Sequence, residues 1–463
     1  MMGLISKNGQ RLDKVQNSEM NKHILKISIP IALQSIIMMT LNMTDQIMVG
    51  QLGESSIAAV GISNRVITIL TVILSGLASG IGIYTAQFWG KKDKEKIGQL
   101  LGLGLSVGGV LTVVFVLAAI LAPKACVGIF TTDPEVISNG VKFLRIVAYS
   151  YIPTTLTIVY SSILRSTAHV KIPMAASMAA VVCNVILNYV FIFGKFGFPE
   201  LGIEGAAVAT TISRIIELII IISSIYILKL PGAVSIKNMR GMSKSLVNSF
   251  VKTTYPILLT EMLWVFGETM YNLIYGRIGT SEYTAMAITF PIQGLAVGVL
   301  SGLSCAAGVI IGNAIGANEE DKAIVYAKKI VKLGITFAAV SGAIVILISR
   351  FYIKVYNISS EAEVYAQYLL IVFSFFLWVK VSNMIIAGGI LSSGGDSKYV
   401  FAMESTATWI VGVPSGLIAA FVLDLPVHWV YLLLSLEEVV RLVFGLRRMF
   451  SGKWVNNLVS QIN

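Results

Sequence analysis

Charge is what this sequence most lacks. Only 13% of its 463 residues are Asp, Glu, Lys or Arg, while 56% are hydrophobic and the mean hydropathy is +0.81. A soluble body of this length needs far more polar surface, so a soluble fold is excluded and an all-α, polytopic membrane protein is expected. Cysteine is scarce too: Cys126, Cys183 and Cys305 lie far apart and supply neither a disulfide framework nor a thiolate cluster. The three histidines, His23, His169 and His428, are isolated and near loops. No His/Asp/Glu constellation gathers on one face, which argues against an integral-membrane enzyme. No short apolar core with a small-residue cleavage site precedes the first long apolar run, so no removable signal peptide is expected.

Basic residues outnumber acidic ones, 35 to 24, for a net charge of +11. They sit in short segments between apolar runs, a placement that orients helices in a membrane and argues against nucleic acid as a partner. The apolar runs predict twelve spans, at 24–50, 56–86, 97–123, 137–164, 172–195, 204–229, 247–276, 283–313, 323–349, 362–391, 399–422 and 427–449. Alternate connecting segments hold 25 Lys and Arg against 5 in the opposite set (Lys124, Lys195, Arg277, Arg350 and Lys354), which predicts cytoplasmic termini.

An internal repeat emerges when the chain is slid along itself by 226 residues. Pro30 then meets Pro256, and Gly50, Gly53, Gly76 and Gly90 meet Gly276, Gly279, Gly302 and Gly316. One insertion later, SSILRS (161–166) meets GGILSS (388–393). Residues that punctuate backbone geometry, matched over a long stretch, indicate two copies of one six-helix unit. Six is even, so the copies are parallel repeats, an arrangement that places substrate between bundles near the midplane. The expected organisation is a cytoplasmic segment 1–23, an N-lobe 24–229, a basic linker 230–246, a C-lobe 247–449 and a cytoplasmic tail 450–463.

Asp45 is the anomaly of the first span. A carboxylate at the centre of a membrane helix costs roughly 2.5–3.5 kcal/mol, so such residues are paired, cavity-facing and functional by default. The bland alternative is a helix-end acid held by a neighbouring amide or hydroxyl.

Several stretches resemble the multidrug and toxic compound extrusion (MATE) transporters: IALQ with D-xx-MVGQLG and IAAVG in the first span, LRSTAHVKIPM, and FGFPELGIEGAAVAT. The second half continues with YPILLTEMLW, YNLIYGRIGT and ILSSGGDSKY. The resemblance covers residues 25–458 and is to the bacterial, cation-coupled members. It implies twelve helices in two V-shaped, pseudo-symmetric lobes, alternating access, and inward Na⁺ or H⁺ flow driving export of organic cations and amphiphilic drugs.

Depth supports a site. At about 1.5 Å per residue, Asp45 lies about 8 Å below the outer end of its helix, Asn184 and Asn188 about 17 and 11 Å, and Thr210 about 9 Å. Four oxygen donors thus share one layer, and Asn184 and Asn188 share a helix face. Such donors suit a hard cation, and a single carboxylate suits one Na⁺ or one proton rather than a divalent metal. The resemblance makes these positions the N-lobe monovalent-cation site, adds the backbone carbonyl near Ala206, and departs at Asn188, where some archaeal-type members carry a second acid. The alternative for the two asparagines is plain interhelical hydrogen bonding.

In the second half Tyr271 stands where Asp45 would repeat, and Glu261 and Glu268 lie seven residues apart on nearly one face. Glu261 resembles the family's helix-seven acid, a candidate for substrate or coupling-ion binding. Lys380 lies at similar depth, and a buried Lys380–Glu261 pair is the favoured reading. Arg214 with Glu217, and Glu437 and Glu438 with Arg441, read as helical ion pairs. Met43, with Met38, Met39 and Met48, and Trp264, with Phe266, Tyr271 and Tyr275, are either a cavity lining for lipophilic cations or packing residues. Pro30 and Pro256 are matched candidate hinges. No cofactor is expected beyond the coupling ion. The expected setting is a monomer in contact with lipids of the bacterial inner membrane. The alternative function is a lipid-linked saccharide flippase of the same superfamily, for which Arg65 and Lys380 are the relevant cleft cations.

Overall fold

The computed structural model describes residues 7–239, 241–356, 358–460 and 462. Residues 1–6 of the expected N-terminal segment, Arg240 of the linker, and residues 461 and 463 of the tail lie outside the described residues. Within the described residues all regular structure is helical. In chain order the long helices are α1 (Lys7–Gly50), α2 (Glu54–Gly90), α3 (Lys94–Leu121), α4 (Pro134–Ser166), α5 (Lys171–Phe193) and α6 (Gly202–Ile227). They continue with α7 (Lys244–Ile278), α8 (Thr280–Gly316), α9 (Glu320–Ile353), α10 (Ser360–Leu391), α11 (397–421) and α12 (Val427–Phe450).

Among the described residues nine of these helices are long and apolar enough to cross a membrane, fewer than the twelve spans expected from sequence. The other three are α7, α11 and α12. Glu261 and Glu268 enter α7, a π-helical stretch at Ala407–Gly412 divides α11 just before Pro414, and α12 carries Glu437, Glu438 and Arg441. Helix α1 also begins at Lys7, well before the apolar run at 24, because residues 7–23 contain no proline and many good helix formers. Pro30 and Pro256 both lie inside continuous helices.

Packing divides the chain into two compact units. One comprises Met1–Ala32, Gly267–Asp396 and Ala402–Asn457, and the other Leu33–Phe266, Ser397–Phe401 and Leu458–Asn463. The boundaries fall inside α1, α7 and α11 and in the tail. Each unit therefore contains most of one half of the sequence together with the opening turns of the other half's first helix. Two glycines from the repeat make these crossings close. A Cβ on Gly76 of α2 would come within 2.7 Å of the Leu258 side chain of α7, and one on Gly302 of α8 within 2.3 Å of the Ser28 carbonyl of α1, next to Ala32. Ala32 and Leu258 are themselves 226 residues apart, so equivalent residues meet equivalent glycines. The unit with Leu33–Phe266 has its core in Leu74, Leu77, Ile81, Tyr84, Phe88 and Leu100, and the Tyr84 and Thr253 hydroxyls join α2 to α7 at 3.0 Å.

Candidate cation site and a buried charge cluster

Helix α1 runs without interruption to Gly50, which sets Asp45 one and a half turns before its end. Helix α5 ends at Gly194, whose left-handed φ of 62° caps it, leaving Asn184 and Asn188 one turn apart on one face. Both are almost fully buried, at 2% and 1% exposure. The Asn188 amide donates from Nδ2 to Asp45 Oδ1 at 2.7 Å and to Asn184 Oδ1 at 3.1 Å. Its other atom, Oδ1, is buried with no hydrogen-bond partner. An orphaned buried acceptor costs about 1–3 kcal/mol, and beside a carboxylate it is a donor oxygen ready for a cation.

Helix α6 comes against the end of α5 closely enough that a Cβ on Gly205 would meet the Phe191 backbone at 2.6 Å. That approach fixes Ala206, which is buried. Thr210, half-buried one turn further, makes no hydrogen bond to Asp45 among the described residues. Asp45, Asn184 and Asn188 are therefore joined directly, while Ala206 and Thr210 lie on α6, which packs against α5. The carboxyl of Asp45 is held by an amide and has no ion pair among the described residues, and Arg214 bonds Glu217 at 2.8 Å. A cavity of about 400 Å³ lies next to the site, lined by Thr44, Met48, Gln51, Tyr189, Phe193 and Lys195 among others.

The second-half candidates gather differently. Glu261 and Trp264 belong to the unit containing Leu33–Phe266, whereas Glu268 and Tyr271 belong to the other. Trp264 and Met43 are about half exposed, at 51% and 49%. The Tyr271 hydroxyl donates to Glu437 Oε2. Lys380 pairs with Glu438 at 3.7 Å, a partner the sequence reading did not name. The packing of α10 against α12 brings the Glu438 carboxylate to Lys380.

Arg441 is the hub of this region. It reaches Glu437 at 3.1 Å, Glu438 at 3.6 Å and Glu404 at 3.2 Å, and donates from Nη2 to Thr408 at 2.6 Å. Asn383 donates from Nδ2 to Glu438 Oε2 at 2.7 Å. The intrahelical pairs of α12 were legible from their spacing of three and four residues. Glu404, Thr408 and Asn383 were not singled out, although an acid inside the α11 apolar run was a visible signal.

The comparisons with known proteins match this architecture. The family model described as MatE covers residues 30–190 and 256–418. The chain is 23% identical over 432 residues to the uncharacterized transporter YisQ of Bacillus subtilis, covering 93% of this chain and 94% of that protein. It is 23% identical over 456 residues to the probable multidrug resistance protein NorM of Thermotoga maritima, covering 97% and 96%. Among solved structures, a mutant of the Vibrio cholerae MATE transporter VcmN superposes with a TM-score of 0.87 at 17% identity, covering 95% and 98% of the two chains. A MOP superfamily transporter from Pyrococcus furiosus superposes with a TM-score of 0.83 at 19% identity, covering 94% and 97%. Twin family matches fall on the two sequence repeats, and the solved folds span nearly the whole chain, so this multi-pass membrane protein belongs to the MatE family of transporters.

Proposed function

We propose that the protein is a secondary antiporter of the bacterial inner membrane, with both termini in the cytoplasm, that exports organic cations and amphiphilic drugs in exchange for Na⁺ or H⁺. The observation that carries this reading is Asp45 beside the buried Asn188 oxygen that accepts no hydrogen bond, oxygen donors suited to a monovalent cation, in a protein whose relatives include probable multidrug resistance proteins. The coupling ion is taken up by Asp45, Asn184 and Asn188, with the Ala206 carbonyl and Thr210 hydroxyl as further ligands if the ion is Na⁺.

Coupling requires that ion and drug favour different conformations, because a ligand shifts an equilibrium only by its differential affinity for the two states. One monovalent cation crossing about 100 mV releases roughly 2.3 kcal/mol, enough for about a fiftyfold drug gradient. Pro30 and Pro256 are the helix positions at which α1 and α7 deform in that cycle. Glu261, Glu268, Tyr271, Trp264 and Met43 are the residues proposed to meet substrate or transmit coupling. Lys380 is already paired with Glu438, which weakens the flippase alternative by removing one of its two cleft cations.

The test is ethidium efflux from sealed vesicles under separately imposed Na⁺ and pH gradients. Wild type should respond to one gradient and Asp45→Asn to neither, at equal expression. Efflux by Asp45→Asn at the wild-type rate would sink the proposal.

A further inference from the structure

A second polar tier sits on the same three helices as the Asp45 site. Gln34, Ser177 and Glu217 each lie eleven residues from Asp45, Asn188 and Ala206 on their own helices, close to three full turns, so the two tiers occupy the same faces. Gln34 donates to Ser177 at 2.8 Å, Ser177 donates to Glu217 Oε1 at 2.6 Å, and Arg214 donates to Glu217 Oε2 at 2.8 Å. Both oxygens of Glu217 are thus engaged, and its residue is 3% exposed. Arg214 stands between the tiers, one turn from Thr210, with its side chain 28% exposed and its charge acting on Asp45.

The second half offers an internal comparison. At the 227-residue offset that aligns SSILRS with GGILSS, Arg214 falls on Arg441 and Thr210 on Glu437, while Asp45 falls on Tyr271 at the 226-residue offset. There the equivalent arginine is engaged at the equivalent place: Arg441 pairs with Glu437, and Glu437 accepts the Tyr271 hydroxyl. In the first half the arginine is turned to Glu217 and the acid is left to an amide.

We infer that Arg214 is a tethered counter-cation for Asp45, taking the carboxylate when the coupling ion has left and held aside by Glu217 while the ion is bound. This rests on the antiport reading above and goes beyond it by naming the group that competes with the ion. A buried carboxylate stripped of its cation is unfavourable, and a guanidinium on a flexible stem within reach relieves that penalty without solvent. Ser177 and Gln34 are positioning residues that keep Glu217 fixed, so Arg214 is the member of the pair that moves. Arg214 pairs with Glu217 on α6 and its charge acts on Asp45 of α1, while the α5 side chains bonded to those two acids, Ser177 and Asn188, are neutral.

The experiment measures the half-saturating concentration of the coupling cation, Na⁺ or H⁺, for ethidium efflux in vesicles. Calorimetric titration of the purified protein with NaCl, or proton uptake on pH jumps, gives the same quantity without substrate. Glu217→Gln frees the arginine and should raise the half-saturating concentration about fivefold, and Arg214→Gln removes the competitor and should lower it about fivefold. The double substitution, which leaves no unpaired charge if a single variant fails to fold, should behave like Arg214→Gln. Shifts of the two single variants in the same direction, no shift in either, or a double variant resembling Glu217→Gln would overturn the inference. Asp45→Asn separates this from the reading beneath it. If that variant keeps wild-type cation dependence, the Asp45 site itself is wrong; if it loses the dependence while the other variants fail as described, only the role of Arg214 is.

Discussion

The two halves of this chain descend from one pattern, yet they handle buried charge in opposite ways. Around Asp45 a single carboxylate meets neutral amides, and a buried oxygen is left over. Around Arg441, the acids Glu404, Glu437 and Glu438 are cross-linked by Arg441 and Lys380, with Tyr271 and Asn383 tying them further. A sparse site with an unfilled acceptor is suited to gaining and losing an ion. A dense network that supplies its own cations is suited to holding helices together, because removing one member leaves charges buried and unpaired.

That contrast breaks most sharply if the dense cluster is depleted. Arg441→Met should destabilise the protein by about 3–5 kcal/mol, the usual penalty for stripping one partner from a buried network. The check is thermal unfolding in detergent beside Glu404→Gln, which removes an acid rather than a cation and should change stability far less. Equal losses would mean that Arg441 is not the hub.

The sparse site should respond in ion affinity rather than stability. Asn188→Ala removes both the hydrogen bond to Asp45 and the orphaned oxygen, and should weaken coupling-cation binding about tenfold with little change in melting temperature. Asn188→Asp, with a second carboxylate, should make efflux sensitive to inhibition by a divalent cation such as Ca²⁺. Neither change is expected from an asparagine that merely joins helices.

The smallest effect sharpens the comparison of the repeats. Gly302→Ala places a methyl against the Ser28 backbone carbonyl and should cost about 1–3 kcal/mol, while Gly76→Ala meets the tip of the Leu258 side chain, which can move, and should cost less. Melting temperatures of the two variants give the ranking directly.

Asp45 was legible from sequence because a lone acid in an apolar run is anomalous whatever surrounds it, and Asn184 and Asn188 because a spacing of four defines a helix face. The ion pairs inside α6 and α12 were legible for the same local reason. The Lys380–Glu438 pair was not legible, because depth along a helix says nothing about rotation around it. Glu404 and Thr408 were missed because they converge on Arg441 only through the packing of α11 against α12.

Composition, basic-residue alternation and the repeated glycines and prolines determined a duplicated helical membrane protein. These are one-dimensional signals, written by solvent preference and backbone sterics along the chain. Which side chains meet across helices was decided only by tertiary structure, as in the pairing of Asn188 with Asp45, Lys380 with Glu438, and Ser177 with Glu217. Each helix presents several faces, and contact between them is set by crossing and rotation that hydrophobic periodicity leaves open.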